Sequence, residues 1–275
     1  MRAVPVIAGQ EIRVGFRNRW IVATTLLLAA LALSLTLLGS APTGTAGVDP
    51  LAVVVVSLSS LTIFLLPLIA LLLSFDAVVG EQERGTLILL LAYPVARWEV
   101  VMGKFLGHTA ILAVATVLGY GAAAAALALR DGVSEAAWPA FAAMIGTSIL
   151  LGAAFIALGG LASVVVRERA TAAGIAVGIW LAFVLLYDTA LLGILVADQG
   201  QTIDAAMLDI LLLLNPADVY RLFNLTGSDE VGLYSGMAGP GEAGRLTPVL
   251  LVGALAAWIA VPLGLATAIF TRRQI

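Results

Sequence analysis

Two uninterrupted apolar stretches decide most of what this chain is able to become. Ile21 to Leu38 and Leu51 to Phe75 contain no charged side chain, and each falls within the roughly 17–25 residues that membrane-spanning helices use. In hydrocarbon every backbone N–H and C=O must be satisfied by the chain itself, which leaves helices or a closed barrel. Barrel strands alternate apolar and polar positions over segments of about ten residues, and these runs do not alternate. Composition agrees: 61% of the 275 residues are apolar and 11% charged, against about 45–50% and about 25% in soluble domains. A soluble globular domain and a disordered chain are both excluded. The absence of cysteine removes disulfides, thiolate metal sites and dithiol redox motifs. One histidine, His108, leaves no set for an imidazole metal centre, so no metal site is expected.

Apolar runs between charged punctuation give six expected spans, at about 20–38, 51–79, 104–129, 139–163, 172–197 and 249–270. The charged stretch Arg2 to Arg19 precedes an apolar run longer than a signal-peptide core of about 7–15 residues, so the first span is expected to persist in the mature chain. With an even number of spans both termini share one side. Arg2, Arg13, Arg17, Arg19, Arg84, Arg97, Lys104, Arg167, Arg169, Arg272 and Arg273 fall there, eleven of the fourteen basic residues. The other side receives Arg130, Arg221 and Arg245 with ten acids from Asp49 to Glu242. The asymmetry predicts that both termini are cytosolic. Residues 1–19 interleave Val6, Ile7, Ile12, Val14 and Phe16 with Glu11, Arg13, Arg17 and Arg19, the pattern of a helix lying in the cytosolic interface, or else of an ordinary basic flank.

The segment 198–248 on the outer side is much longer than the other outer connections. Leu208 to Leu214 is apolar but too short to span, as in a re-entrant or interfacial element. Asn215-Pro216-Ala217-Asp218 reads as an N-cap, a proline at the first helical position and an acid in the first turn, before Val219, Leu222 and Phe223 recur at helical spacing. Gly227 to Gly244 is Gly-rich and polar, the composition of a loop.

The connection between spans two and three, residues 80–103, carries the most specific signal. Gly80-Glu81-Gln82-Glu83-Arg84-Gly85-Thr86-Leu87 is a charged turn followed by a short apolar stretch through Leu91, a breaker at Pro94 and a second basic turn at Arg97 and Gly103-Lys104. This describes a compact helical hairpin, and an exposed Leu-rich element there calls for a protein partner. The run Glu81, Arg84-Gly85-Thr86-Leu87, Pro94, Arg97 and Gly103-Lys104 resembles the signature of the type-2 ABC transporter permeases. The six-span layout and the outer helix before the last span are similar to that family too, over essentially the whole chain. A narrower resemblance, on Leu214 to Thr226 and Ser235-Gly236-Met237-Ala238-Gly239, is to the permease subunits of ABC complexes that mature the copper sites of nitrous oxide reductase.

The resemblance implies a single all-α permease domain over 1–275 in a bacterial inner membrane, with the hairpin as a cytosolic coupling helix. Glu81, Glu83, Arg84, Gly85, Thr86, Leu87, Pro94, Arg97 and Lys104 are then expected to couple to an ATPase. Asn215, Pro216, Asp218, Tyr220, Arg221, Phe223 and Met237 are expected to contact an outer partner. The implied assembly holds a second copy of the chain, a cytosolic ABC ATPase dimer, a periplasmic β-helical copper-maturation protein and a copper-chaperone lipoprotein, with no nucleic acid. ATP and Mg would sit on the ATPase, and this chain would bind no cofactor. Its sequence is consistent with that division, because no Gly-x-x-x-x-Gly-Lys-Ser/Thr occurs and Gly103-Lys104 is followed by Phe105.

Ionisable groups within spans are costly, which makes Asp76, His108 and Asp188 candidates for function. Asp76 and His108 fall near the cytosolic ends of spans two and three, where they are expected to pair and anchor the hairpin. Asp188 lies in the outer half of span five, at a depth shared by Tyr120; it reads either as a pathway or gating residue or as a helix-packing hydrogen bond. Gly103 with Gly107 and Gly174 with Gly178 are small-residue pairs that permit close helix approach. Direct copper conduction is disfavoured, because soft ligands along a path are missing. An intrinsic enzyme is disfavoured as well, since neither His-Glu-x-x-His nor Gly-x-Ser-x-Gly occurs. Two readings survive: an ATP-driven exporter of a small species such as a sulfur compound, and a transmitter of ATPase motion to a docked outer protein. A generic exporter of another small or lipophilic substrate is the alternative to the maturation role.

Overall fold

The computed structural model describes residues 3–17, 23, 26, 27, 29–34, 50–129, 138–199, 201–226 and 246–273. Among these every regular element is helical. We label them α1 (Ala3–Arg17), α2 (Pro50–Ser74), α3 (Val79–Glu83), α4 (Thr86–Leu91), α5 (Arg97–Ala128), α6 (Trp138–Val165), α7 (Arg169–Trp180), α8 (Tyr187–Asp198), α9 (Ala205–Leu213), α10 (Pro216–Thr226) and α11 (Pro248–Arg272). A π-helical segment, Leu181–Leu186, joins α7 to α8 without a break.

Five stretches among the described residues are long and apolar enough to cross a membrane: Val54–Glu83, Arg97–Ala126, Trp138–Val165, Arg169–Asp198 and Pro248–Arg272. They correspond to expected spans two to six. The first expected span, 20–38, lies largely outside the described residues. Span three starts earlier than its apolar run suggests. Helix α5 begins at Arg97, where the Glu99 carboxylate accepts from the Ala96 N–H at 3.1 Å and satisfies one of the donors that a helix start leaves open. The hairpin expected over 80–103 therefore divides: α3 and α4 form it, and its expected second basic turn is the first part of α5.

Helix α6 packs against α2, α5, α7, α10 and α11. It has no charged residue, and Leu151, Ala154 and Phe155 on it are fully buried. Its Ser163 Oγ accepts from the N–H groups of Val78 and Val79, at 2.9 and 3.0 Å. Those donors belong to the start of α3, so α6 completes the helix break that lets the chain turn into the hairpin. Toward the other end, Tyr120 of α5 shares a 2.5 Å hydrogen bond with Thr62 of α2, and Tyr220 of α10 shares one of 3.0 Å with Ser148 of α6. Both tyrosines are completely buried, and a buried phenol needs such a partner.

Candidate functional site

Functional candidates collect at the two ends of the bundle. The first end carries α1, α3, α4 and the last turn of α11. Its centre is Lys104, four per cent exposed, whose Nζ lies 2.5 Å from Glu11 Oε1 on α1 and 2.7 Å from Glu81 Oε1 on α3. His108 Nε2, one turn further along α5, lies 3.5 Å from Glu11 Oε2. Burial disfavours ionised Glu11, but His108 and Lys104 together outweigh it and lower its pKa from 4.5 to about 2. Close approach makes this possible. A Cβ on Gly103 would stand 2.7 Å from Ile7 Cβ, and one on Gly107 would stand 2.6 Å from Glu11 Cβ. The glycine pair is therefore the seat of α1 on α5. Nothing lies within 4 Å of the corresponding positions on Gly174 and Gly178.

The expected pairing of Asp76 with His108 is corrected by this geometry. Asp76 is taken by Arg169 of α7, at 3.0 Å, and by Arg84 of the hairpin, at 3.6 Å, while His108 faces Glu11. No spacing rule pointed to Glu11 as the partner, because α1 is remote in the chain from α5. Glu83 Oε1 accepts from the Arg169 N–H at 2.6 Å, tying the hairpin to the start of α7. Gly85 turns the chain between α3 and α4 with φ of 71°, a conformation that glycine adopts at little cost. Thr86 Oγ1 donates across that turn to the Glu81 carbonyl at 3.2 Å.

Three residues expected to meet an ATPase are occupied within the chain. Leu87 is buried beside Val78 and Val100. Lys104 is enclosed by its two carboxylates. Arg97 donates to the carbonyls of Phe270 and Arg273 and lies over the Phe270 ring at 5.9 Å, which closes the C-terminal end of α11. What the hairpin presents to its surroundings is Ile88, Leu89 and Tyr93, each 64–70% exposed, beside exposed Glu83, Arg84 and Pro94. A run of six residues, Thr-Leu-Ile-Leu-Leu-Leu, is apolar at nearly every position, so periodicity gives no way to tell its inner from its outer face.

At the other end α10 is held against span five. Asn215 caps it as its sequence predicts, with Oδ1 accepting from the Ala217 N–H at 3.0 Å. The Asn215 amide donates to the Phe183 carbonyl and to Asp218 Oδ2, both at 2.9 Å. Phe183 belongs to the π-helical segment, where the hydrogen-bond register is displaced. Arg221 reaches Asp218 at 2.9 Å and Asp188 of α8 at 2.7 Å. Asp218 has its pKa raised from 3.8 to about 7, by burial first and the Asp188 charge second, against the opposing pull of Arg221.

Asn215, Pro216, Asp218 and Tyr220 are buried, so their expected role as contacts for an outer partner is corrected: these side chains attach α10 to its own bundle. Arg221 and Phe223 are half-buried, and Met237 lies outside the described residues. Asp188 and Tyr120 do not pair with one another; each has its own partner, Arg221 and Thr62. Helix α9 has no buried residue and is held by two aromatic donors, Tyr187 Oη to the Leu211 carbonyl at 2.6 Å and Trp258 Nε1 to the Leu213 carbonyl at 3.1 Å.

A bundle of spanning helices with an ion-paired hairpin at one end and a clamped accessory helix at the other defines a multi-pass membrane permease. The chain belongs to the ABC-2 family transporter proteins, whose family model matches residues 6–275. It is 45% identical to a Stutzerimonas stutzeri protein named "Probable ABC transporter permease protein NosY", over 99% of both chains. A Pseudomonas aeruginosa PAO1 protein of the same name is 46% identical over the full length of both. The chain is thus a membrane transport subunit, of a family whose ATPase activity usually resides in a partner.

Proposed function

We propose that this chain couples ATP hydrolysis by a separate cytosolic ABC ATPase dimer to work at the periplasmic face of a bacterial inner membrane, in support of copper-site assembly of nitrous oxide reductase. The observation that carries the reading is the hairpin. Its apolar surface, Ile88, Leu89 and Tyr93, has no cover among the described residues, while its charged limb is tied to α5 through Glu81–Lys104, to the turn after α2 through Arg84–Asp76 and to α7 through Glu83–Arg169. A partner moving the hairpin therefore moves α5, α7 and, through Lys104, α1. The gathering of basic residues at this end supports a cytosolic position for it and for both termini. ATP and Mg belong to the ATPase, and this subunit carries no catalytic group of its own. Two copies of the chain would form the membrane part, with a periplasmic β-helical copper-maturation protein and a copper-chaperone lipoprotein as outer partners.

Asp188 favours transmission over conduction, since its carboxylate is engaged by Arg221 in joining α8 to α10. Motion of span five is thereby passed to the outer helix. The test is replacement of Glu81 by Gln together with Arg84 by Ala in the intact complex. ATP hydrolysis should persist while maturation of the reductase copper sites, read from their visible absorption, is lost. Retention of both activities would remove the coupling role of the hairpin.

A further inference from the structure

We propose that Asp188, Arg221 and Asp218 form a one-proton latch, which holds α10 against span five when the proton is bound and loosens that contact when it leaves. The argument begins with charge. Two carboxylates share one guanidinium, at 2.7 and 2.9 Å, so the fully ionised group carries a net charge of −1 in a setting where Asp218 is 2% exposed and Arg221 27%. Two carboxylates in one partly buried site resist simultaneous ionisation, and a single proton relieves them.

The surroundings supply little other compensation. Helices α2 and α6 and the π-helical segment, all packed on α10, have no ionisable side chain, and α11 has its arginine at the opposite end. Helix α8 adds Tyr187, which donates to the Leu211 carbonyl, and the one acid on α9 is Asp209. The elevated pKa of Asp218 agrees with this balance.

The site also stands where a change would propagate. Arg221–Asp188 and Asn215–Phe183 both join α10 to span five, one at α8 and one at the π-helical segment. Asn215 donates to Asp218 as well, and ionised Asp218 is the stronger acceptor, so loss of the proton draws the Asn215 amide and Arg221 toward Asp218 and away from Phe183 and Asp188 together. The sign is fixed by linkage. An acid whose pKa is higher in the docked state favours docking most below its ordinary pKa of 3.8, and this advantage falls as pH rises to about 7 and then levels off. The latch does not depend on which species the assembly moves, so it stands or falls separately from the proposed function.

The test uses the full chain in lipid nanodiscs and amide hydrogen exchange of residues 216–226 from pH 5.5 to 8.5, corrected for intrinsic exchange. One bound proton predicts protection that falls by up to about tenfold per pH unit below about pH 7 and is level above it. Asp218→Asn should abolish the slope. Asp188→Asn should also flatten it, by moving the titration of Asp218 toward its ordinary range, and protection of α6 verifies that each variant is folded. Wild-type protection that does not depend on pH, or a wild-type slope retained in either folded variant, overturns the proposal.

Discussion

Replacing Lys104 by Met tests the electrostatic joint at the hairpin end. Its side chain is 5% exposed and faces Glu11 and Glu81 at 2.5 and 2.7 Å. Taking one partner from a buried pair leaves the other charge uncompensated, at a cost of about 3–5 kcal/mol. Glu11 gives a second measure. The fall in its pKa from 4.5 to about 2 corresponds to roughly 3 kcal/mol at about 1.36 kcal/mol per unit, the net by which His108 and Lys104 together outweigh the cost of burial. The cost should fall on α1, which can leave the bundle locally while the spans stay folded. We expect α1 to undock more easily by about 2–3 kcal/mol, or roughly 30- to 150-fold faster exchange of its amides at neutral pH. Because the pKa of Glu11 is lower in the docked state, its contribution is present above pH 4.5 and is lost as pH falls toward about 2. The variant should move that loss to higher pH. Exchange of residues 3–17 within twofold of wild type would refute the reasoning, as would strict additivity of Lys104→Met with Glu11→Gln.

Glu substitutions at Ile88 and Leu89 should abolish co-purification of the ATPase while leaving the thermal midpoint of the chain unchanged, since both side chains are largely exposed. Gly107→Ala should destabilise α1 docking by about 1–3 kcal/mol, because its new Cβ would meet Glu11 Cβ at 2.6 Å and the Ala8 carbonyl at 3.1 Å. Gly121→Ala, with nothing within 4 Å, should be neutral or stabilising by up to about 1 kcal/mol; equal effects at the two glycines would contradict the seating of α1. Tyr220→Phe should cost about 1–2 kcal/mol in thermal denaturation, because it removes the hydroxyl facing Ser148 at 3.0 Å inside the bundle.

The membrane class, spans two to six and the N-cap of α10 were all legible in the sequence, because each follows from local chemistry. Apolar length decides whether a segment can leave water, and Asn-Pro-Ala-Asp satisfies the start of a helix with its own side chains. The hairpin was legible as an element for the same reason, from Gly85 and Pro94. Which of its side chains face outward was not. In Thr86 to Leu91 the pattern is uniformly apolar, and only packing against Val78 and Val100 turns Leu87 inward and leaves Ile88 and Leu89 outside. Partners of the buried charges were equally hidden. Lys104 meets Glu11 across 93 residues of chain, and Asp188 meets Arg221 across 33. No spacing rule reaches so far, since such pairs exist only once helices choose their neighbours. The sequence by itself thus determined which segments are able to cross a membrane; the tertiary structure alone decided which charges neutralise one another, because burying a charge in this bundle is tolerable only where another element brings its counterpart.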